Sequence, residues 1–181
     1  CPGAVFVCMA GSRVDSHEFC SQVYAAGVRV FVTERPIALP ADATVVMVEN
    51  GREALAHISA ARFGFPDRKM VTIGVTGTKG KTTTTHMIKT ILEACGKKVG
   101  MIGTNGVYFP GTFEPTRNTT PESYQLHQYF SRMLEAGCEY MVMEVSSQGL
   151  KLHRTQGFFF DIGIFTNIEP DHIGPNEHES F

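Results

Sequence analysis

The sequence contains no apolar run approaching the roughly 18 residues that a membrane-crossing helix needs. It also lacks an excess of basic charge: 16 Lys and Arg stand against 18 Asp and Glu, giving a formal charge of −2 and a pI near 6.4. Without a positive field there is little to hold a polyanion, so neither nucleic acid nor a membrane is an expected partner. No internal repeat or low-complexity segment is present, and no signal-peptide pattern opens the chain. The cysteines (Cys1, Cys8, Cys20, Cys95 and Cys138) are odd in number, scattered and never in a CxxC pair. That argues against a disulfide framework or a zinc site and for reduced, mostly buried thiols of a cytoplasmic protein. The chain starts at Cys1 and its last residues complete no element, so both ends are expected to be cuts in a longer protein.

What is present suits one medium domain or two small ones: 181 residues, 43% hydrophobic and 19% charged. Residues 4–9 read as a buried strand, 15–26 as a helix closed by Gly27, 28–33 and 45–48 as strands, and 53–62 as a helix. The segment Gly64-Phe65-Pro66-Asp67 is turn chemistry and a candidate linker. From Met70 the rhythm becomes strand, glycine loop, helix, strand, with further strands expected at 99–102, 140–145 and 161–166. A helix over 82–95 would put Met87, Ile88, Ile91 and Leu92 on one face. A second helix is signalled by Thr120-Pro121-Glu122, a capping hydroxyl followed by proline at the first helical position, and runs to Gly137. The pattern predicts an α/β fold. A small α/β domain over 1–67 precedes part of a P-loop-containing, doubly wound, mostly parallel sheet over 68–181, with its ligand site at the carboxyl ends of the strands.

The stretch from Val71 to Thr85, VTIGVTGTKGKTTTT, is the strongest local signal. A loop between a strand and a helix start offers unpaired backbone N–H groups and the positive end of the helix dipole to a phosphate. Lys81 would place a charge on the terminal phosphates and Thr82 a hydroxyl on Mg²⁺. The general pattern GxxxxGK[ST] requires glycine at position 75, where Val75 stands; Gly74, Gly77 and Gly80 supply the turns at another spacing. A glycine turn with a chance lysine is the plainer alternative. Glu144 interrupts the apolar run from Tyr140 to Val145, which suits either a cation beside it or an ion pair at a strand end. Asn167 and Asp171-His172 follow the next strand, while His178 reads as part of a solvated turn. Three strand ends would thus meet at one edge.

The segment Thr76-Gly-Thr-Lys-Gly-Lys-Thr-Thr83 resembles the TGTxGKTT loop of the ATP-dependent Mur ligases, a loop shared with folylpolyglutamate and cyanophycin synthetases. Asn118-Thr-Thr-Pro121, Glu144-Val-Ser-Ser147 with His153-Arg154, and Phe165-Thr-Asn167 leading to Asp171-His172 are similar to the MurE type within that family. The run Phe6-Val-Cys-Met-Ala-Gly11 with Asp15, His17 and Phe19 matches an amino-terminal segment of MurE and MurF proteins. Ser16, Lys79 and Leu152 depart from the usual glycine, asparagine and glutamine, and Gly174 to His178 replaces the usual sequel to Asp171-His172.

The resemblance implies an amide ligase of peptidoglycan precursor synthesis. ATP would activate the D-glutamate carboxylate of UDP-N-acetylmuramoyl-L-alanyl-D-glutamate as an acyl phosphate, for attack by L-lysine or meso-diaminopimelate. It assigns ATP to Gly77, Thr78, Lys79, Gly80, Lys81, Thr82, Thr83 and Asn167, and magnesium to Thr82, Glu144 and His172, with Lys81, Glu144 and His172 as the catalytic group. It assigns the muramoyl dipeptide nucleotide to Ser12, Arg13, Asn118, Thr119, Thr120, Ser146 and Arg154, the arginine suiting a diphosphate or carboxylate. Helix capping is a second, compatible role for Thr119 and Thr120. It also implies a longer parent, with the first domain incomplete at its start, and a chain that does not catalyse ligation alone. Another amide ligase of the superfamily, or a non-catalytic nucleotide-binding module, is the competing reading. Oligomeric state is not legible.

Overall fold

The computed structural model describes residues 3–11 and 14–170, so Ser12, Arg13, Asp171, His172 and His178 lie outside the described residues. The chain divides into two compact units, 1–55 and 56–181. In the first, β1 (Val5–Val7), β2 (Val30–Thr33) and β3 (Thr44–Met47) form a parallel sheet in that order. The helix expected over 15–26 is divided into a 3₁₀ turn, Ser16–Phe19, and α1 (Cys20–Ala25). The Asp15 side chain causes the tight start: its carboxylate accepts the His17 N–H at 3.0 Å and lies 2.6 Å from the His17 ring, whose other nitrogen accepts the Glu34 N–H at 3.2 Å. Cys8, Cys20, Val28 and Phe31 make the small core.

The second unit holds a six-stranded sheet in the order β7-β6-β5-β8-β4-β9. Its parallel part is β5 (Val99–Gly103), β8 (Tyr140–Glu144), β4 (Val71–Thr76) and β9 (Ile162–Phe165). The antiparallel hairpin β6 (Gly106–Phe109) and β7 (Thr112–Glu114) extends one side and is not anticipated from the sequence pattern. The strands are too short to show an alternation, and the hairpin gains its order from pairing with β5. Helix α2 (Gly51–Arg62) carries the division between the units, α3 (Lys81–Ala94) follows β4, α4 (Ser123–Glu135) precedes β8, and the short α5 (Ser147–Lys151) follows it.

Two expectations are corrected here. On α3, Ile88 and Leu92 pack against Ile73, Val75, Val99 and Val142, whereas Met87 and Ile91 are 59% and 60% exposed, so the apolar face is split into a buried and an exposed stripe. And α4 starts at Ser123 with Glu122 as its N-cap, so Thr120 and Pro121 precede the helix and Thr120 does not cap it. Proline disfavours the helical region for the residue before it. The buried Thr120 hydroxyl instead donates to the Glu144 carbonyl at 3.1 Å and accepts the Ser146 N–H at 2.9 Å, tying the segment before α4 to the end of β8. Leu126, Phe130 and Met133 of α4 bury against Met70, Ile102, Met141 and Met143. Among the described cysteines Cys8, Cys20 and Cys138 are buried, Cys95 is exposed, and all are free thiols. No helix among the described residues is long and apolar enough to cross a membrane.

Candidate functional site

The sheet order makes β4 the neighbour of both β8 and β9, so the loop leaving β4 is reached by residues at both other strand ends. The loop runs from Gly77 to Gly80, the N-cap of α3, and no side chain caps the helix. Within α3, Thr84 is the first residue whose N–H reaches a backbone carbonyl, that of Gly80 at 2.9 Å. The N–H groups of Lys81, Thr82 and Thr83, at the start of a helix of 14 residues, are those that an anion would take. The Lys81 ammonium donates to the Gly77 and Thr78 carbonyls at 2.6 and 3.0 Å, folding the side chain over its own loop.

From the β9 side the loop is braced. Asn167 accepts the Thr78 N–H on its carbonyl at 3.0 Å and the Lys79 N–H on Oδ1 at 2.9 Å, and its amide donates to the Lys79 carbonyl at 3.1 Å. Thr166 donates to the same carbonyl at 2.8 Å, and the Lys79 ammonium pairs with Glu169. Gly77 sits at φ 132°, and a Cβ there would collide with the Thr166 hydroxyl and the Asn167 backbone. Glycine is therefore required at 77, while Val75 is a fully buried strand residue, which explains the departure from the general phosphate-loop pattern.

Glu144, 2% exposed at the end of β8, is the polar centre of this edge. Its carboxylate accepts the Thr82 hydroxyl at 2.9 Å, the Thr104 N–H at 2.9 Å and the Thr104 hydroxyl at 3.2 Å; that hydroxyl lies 3.0 Å from the Thr119 hydroxyl. Gly103 makes the approach possible, since a Cβ there would strike the Glu144 carboxylate. No ion pair to Glu144 is formed among the described residues, which sets aside the ion-pair alternative for that set. A buried carboxylate with three neutral donors and no cation beside the loop hydroxyl fits a divalent ion that takes its remaining oxygens from phosphates and water. Among the described residues no group of three His, Cys, Asp or Glu is arranged to hold a metal by itself.

A cavity of about 580 Å³ lies in front of these groups. It collects Thr78, Gly80, Lys81, Thr82, Thr83, Asn118, Thr119, Glu144, Ser146 and Arg154 of the residues singled out from the sequence. Gly77, Lys79, Thr120 and Asn167 do not line it: they set the loop and the end of β8 from behind. Ser146 caps α5 by accepting the Gly149 N–H at 3.0 Å. Arg154, with its side chain 10% exposed, donates from Nε to Glu122 at 2.9 Å and from Nη1 to the Thr120 carbonyl at 3.1 Å. Thr104, Arg117, Ser147 and Gln148 also face the cavity. Ser147 closes the Glu144-Val-Ser-Ser147 segment singled out from the sequence, whereas no motif signals Thr104, Arg117 or Gln148, although Thr104 stands at the end of a parallel strand, where such a site gathers.

Two family models cover most of the chain: the Mur ligase middle domain matches residues 75–181 and the Mur ligase family, catalytic domain, residues 1–63. Over 179 residues the chain is 42% identical to a UDP-N-acetylmuramoyl-L-alanyl-D-glutamate--2,6-diaminopimelate ligase of Clostridium perfringens, matching 99% of this chain and 37% of that protein. A solved structure of a ligase with the same name shares the fold with a TM-score of 0.74 at 21% identity, over 88% of this chain and 32% of its own. A MurF ligase of Thermotoga maritima in complex with ADP does so with a TM-score of 0.59 at 23% identity, over 91% of this chain and 34% of its own. The chain thus spans little more than a third of the length of such relatives. With the loop of β4, the carboxylate of β8 and the matched segments in one framework, the chain belongs to the Mur ligase family.

Proposed function

We propose that this chain carries the ATP site and part of the acceptor site of a MurE-type ligase. The whole protein would join a diamino acid to the D-glutamate carboxylate of UDP-N-acetylmuramoyl-L-alanyl-D-glutamate by way of an acyl phosphate. Residues 1–67 would serve the uridine nucleotide, with Ser12 and Arg13, and residues 68–181 the ATP and the muramoyl dipeptide. The names of the curated relatives favour meso-diaminopimelate over L-lysine as the added amine. The observation that carries the reading is the 2.9 Å contact of the loop hydroxyl of Thr82 with the buried Glu144, in one cavity with Asn118, Thr119 and Ser146.

In that role the helix-start amides and Lys81 hold the phosphates, the ammonium exchanging the Gly77 and Thr78 carbonyls for phosphate oxygens. Thr82 and Glu144 would hold magnesium, with His172 completing the set. The ion supplies charge neutralisation on the transferring phosphoryl group. Asn167 and Thr166 keep the loop in its binding shape, and Asn118, Thr119 and Ser146 orient the acceptor so that its carboxylate meets the phosphate. The test is an assay of the whole protein with ATP, magnesium, the muramoyl dipeptide nucleotide and each amine. Amide product and ADP with meso-diaminopimelate are expected, and no ATP-dependent product with either amine would refute the reading.

A further inference from the structure

The cavity at the carboxyl edge of the second unit is lined by three cations, Lys81, Arg117 and Arg154, and they are not equivalent. Arg154 is almost wholly buried, and its guanidinium sits 2.9 Å from Glu122, so its charge is already matched and its donors largely used. Lys81 is held only by two neutral carbonyls of its own loop and stays available to the phosphates. Arg117 is exposed, and no described residue makes a hydrogen bond, ion pair or ring contact with its side chain. Its backbone is not loose. Thr116 before it donates to the Gly103 carbonyl at 3.1 Å, and Thr119 after it meets Thr104 at 3.0 Å, beside Glu144.

The cavity therefore presents two cations that form no ion pair with a described residue, one on the loop of β4 and one on the segment before α4. A ligand pair that satisfies both must bring an anion to each. We propose that Arg117 is a specificity-determining binding residue for the acceptor: its guanidinium takes the anionic oxygens of a carboxylate or phosphate on the acceptor ligand, while Lys81 takes those of the nucleotide. The planar fork of arginine matches either group in bidentate fashion. This rests on the functional reading above, because it presumes that an anionic acceptor shares the cavity with ATP.

Equilibrium titration of the whole protein with ATP, UDP and UDP-N-acetylmuramoyl-L-alanyl-D-glutamate tests it, comparing Arg117→Ala and Arg117→Lys with the wild type. Arg117→Ala is expected to weaken the muramoyl dipeptide nucleotide about tenfold, with ATP affinity within twofold of wild type, which also shows that the fold is intact. Arg117→Lys should recover part of the loss, and the salt dependence of acceptor binding should be shallower in Arg117→Ala, which a merely structural role would not produce. An equal loss for UDP identifies the diphosphate as the anion; a loss confined to the dipeptide nucleotide identifies the carboxylate. Unchanged acceptor binding, or a loss confined to ATP, overturns the assignment to Arg117 alone. Wild-type whole protein that binds ATP and no acceptor overturns the functional reading together with it.

Discussion

The second unit buries two polar side chains in opposite ways. At the carboxyl edge of the sheet, Glu144 is surrounded by donors from two separate segments, the Thr82 hydroxyl and both polar groups of Thr104, with Thr119 one contact further on. In the layer under α4, His127 is fully buried with neither ring nitrogen hydrogen-bonded to the described residues. It lies flat on Phe158, 4.1 Å between ring centres, and edge-on to Phe130. Burial, with His57 adding repulsion, pushes the His127 pKa down to about 4, so the ring packs as a neutral aromatic at pH 7. A buried charge survives where loops converge and supply backbone and hydroxyl donors. Between a helix and a sheet whose amides are already paired, a polar ring is retained only by giving up its charge.

The contrast breaks most visibly at the ligand side of the first region. Lys81→Ala should lower nucleotide affinity roughly 100-fold in a direct titration, because the loop loses its charge while its amides remain. Glu144→Ala leaves the Thr104 amide without its acceptor in a buried place, so chemical denaturation should report a loss of about 2 kcal/mol. Glu144→Gln keeps the shape and should recover most of that stability without recovering magnesium-dependent nucleotide binding.

In the second region the effect is one of pH. The folded pKa of His127 lies below its ordinary value of 6.5, so the stability held by the neutral ring is complete above pH 6.5 and is lost as pH falls toward 4. Relative to His127→Phe, the wild type should lose about 1 to 2 kcal/mol between pH 6.5 and 5 in parallel denaturation curves. The smallest change belongs to the exposed Lys79 and Glu169 pair: Lys79→Ala should move stability by less than about 0.5 kcal/mol, since screening leaves such a pair little net value.

Legibility differed in the same way between the regions. Lys81, Thr82 and Glu144 stood out because a lysine after glycines and an acid inside an apolar strand contradict their surroundings. Arg117 and Thr104 carry no such contradiction, and His127 at helical spacing beside Leu126 and Phe130 gives no sign that it is buried without partners. Thr120 misled because the hydroxyl, proline and acid series is a helix-start signal, and the chain used the hydroxyl for β8 instead. Asn167, assigned to ATP by resemblance, gives no sign in the sequence that its amide braces the Lys79 backbone as well.

By itself the sequence determined the local units: apolar runs that become parallel strands, a glycine loop opening a helix, and the residue types that bind phosphate and a cation. Those depend on neighbours within a few positions, through periodicity, capping and turn chemistry. The tertiary structure decided which units meet. The order β5-β8-β4-β9 brings Thr104, Glu144, Thr82 and Asn167 to one edge although they are far apart in the chain. That order comes from how the helices and strands bury their apolar faces together, a property of the packed sheet that no local stretch encodes.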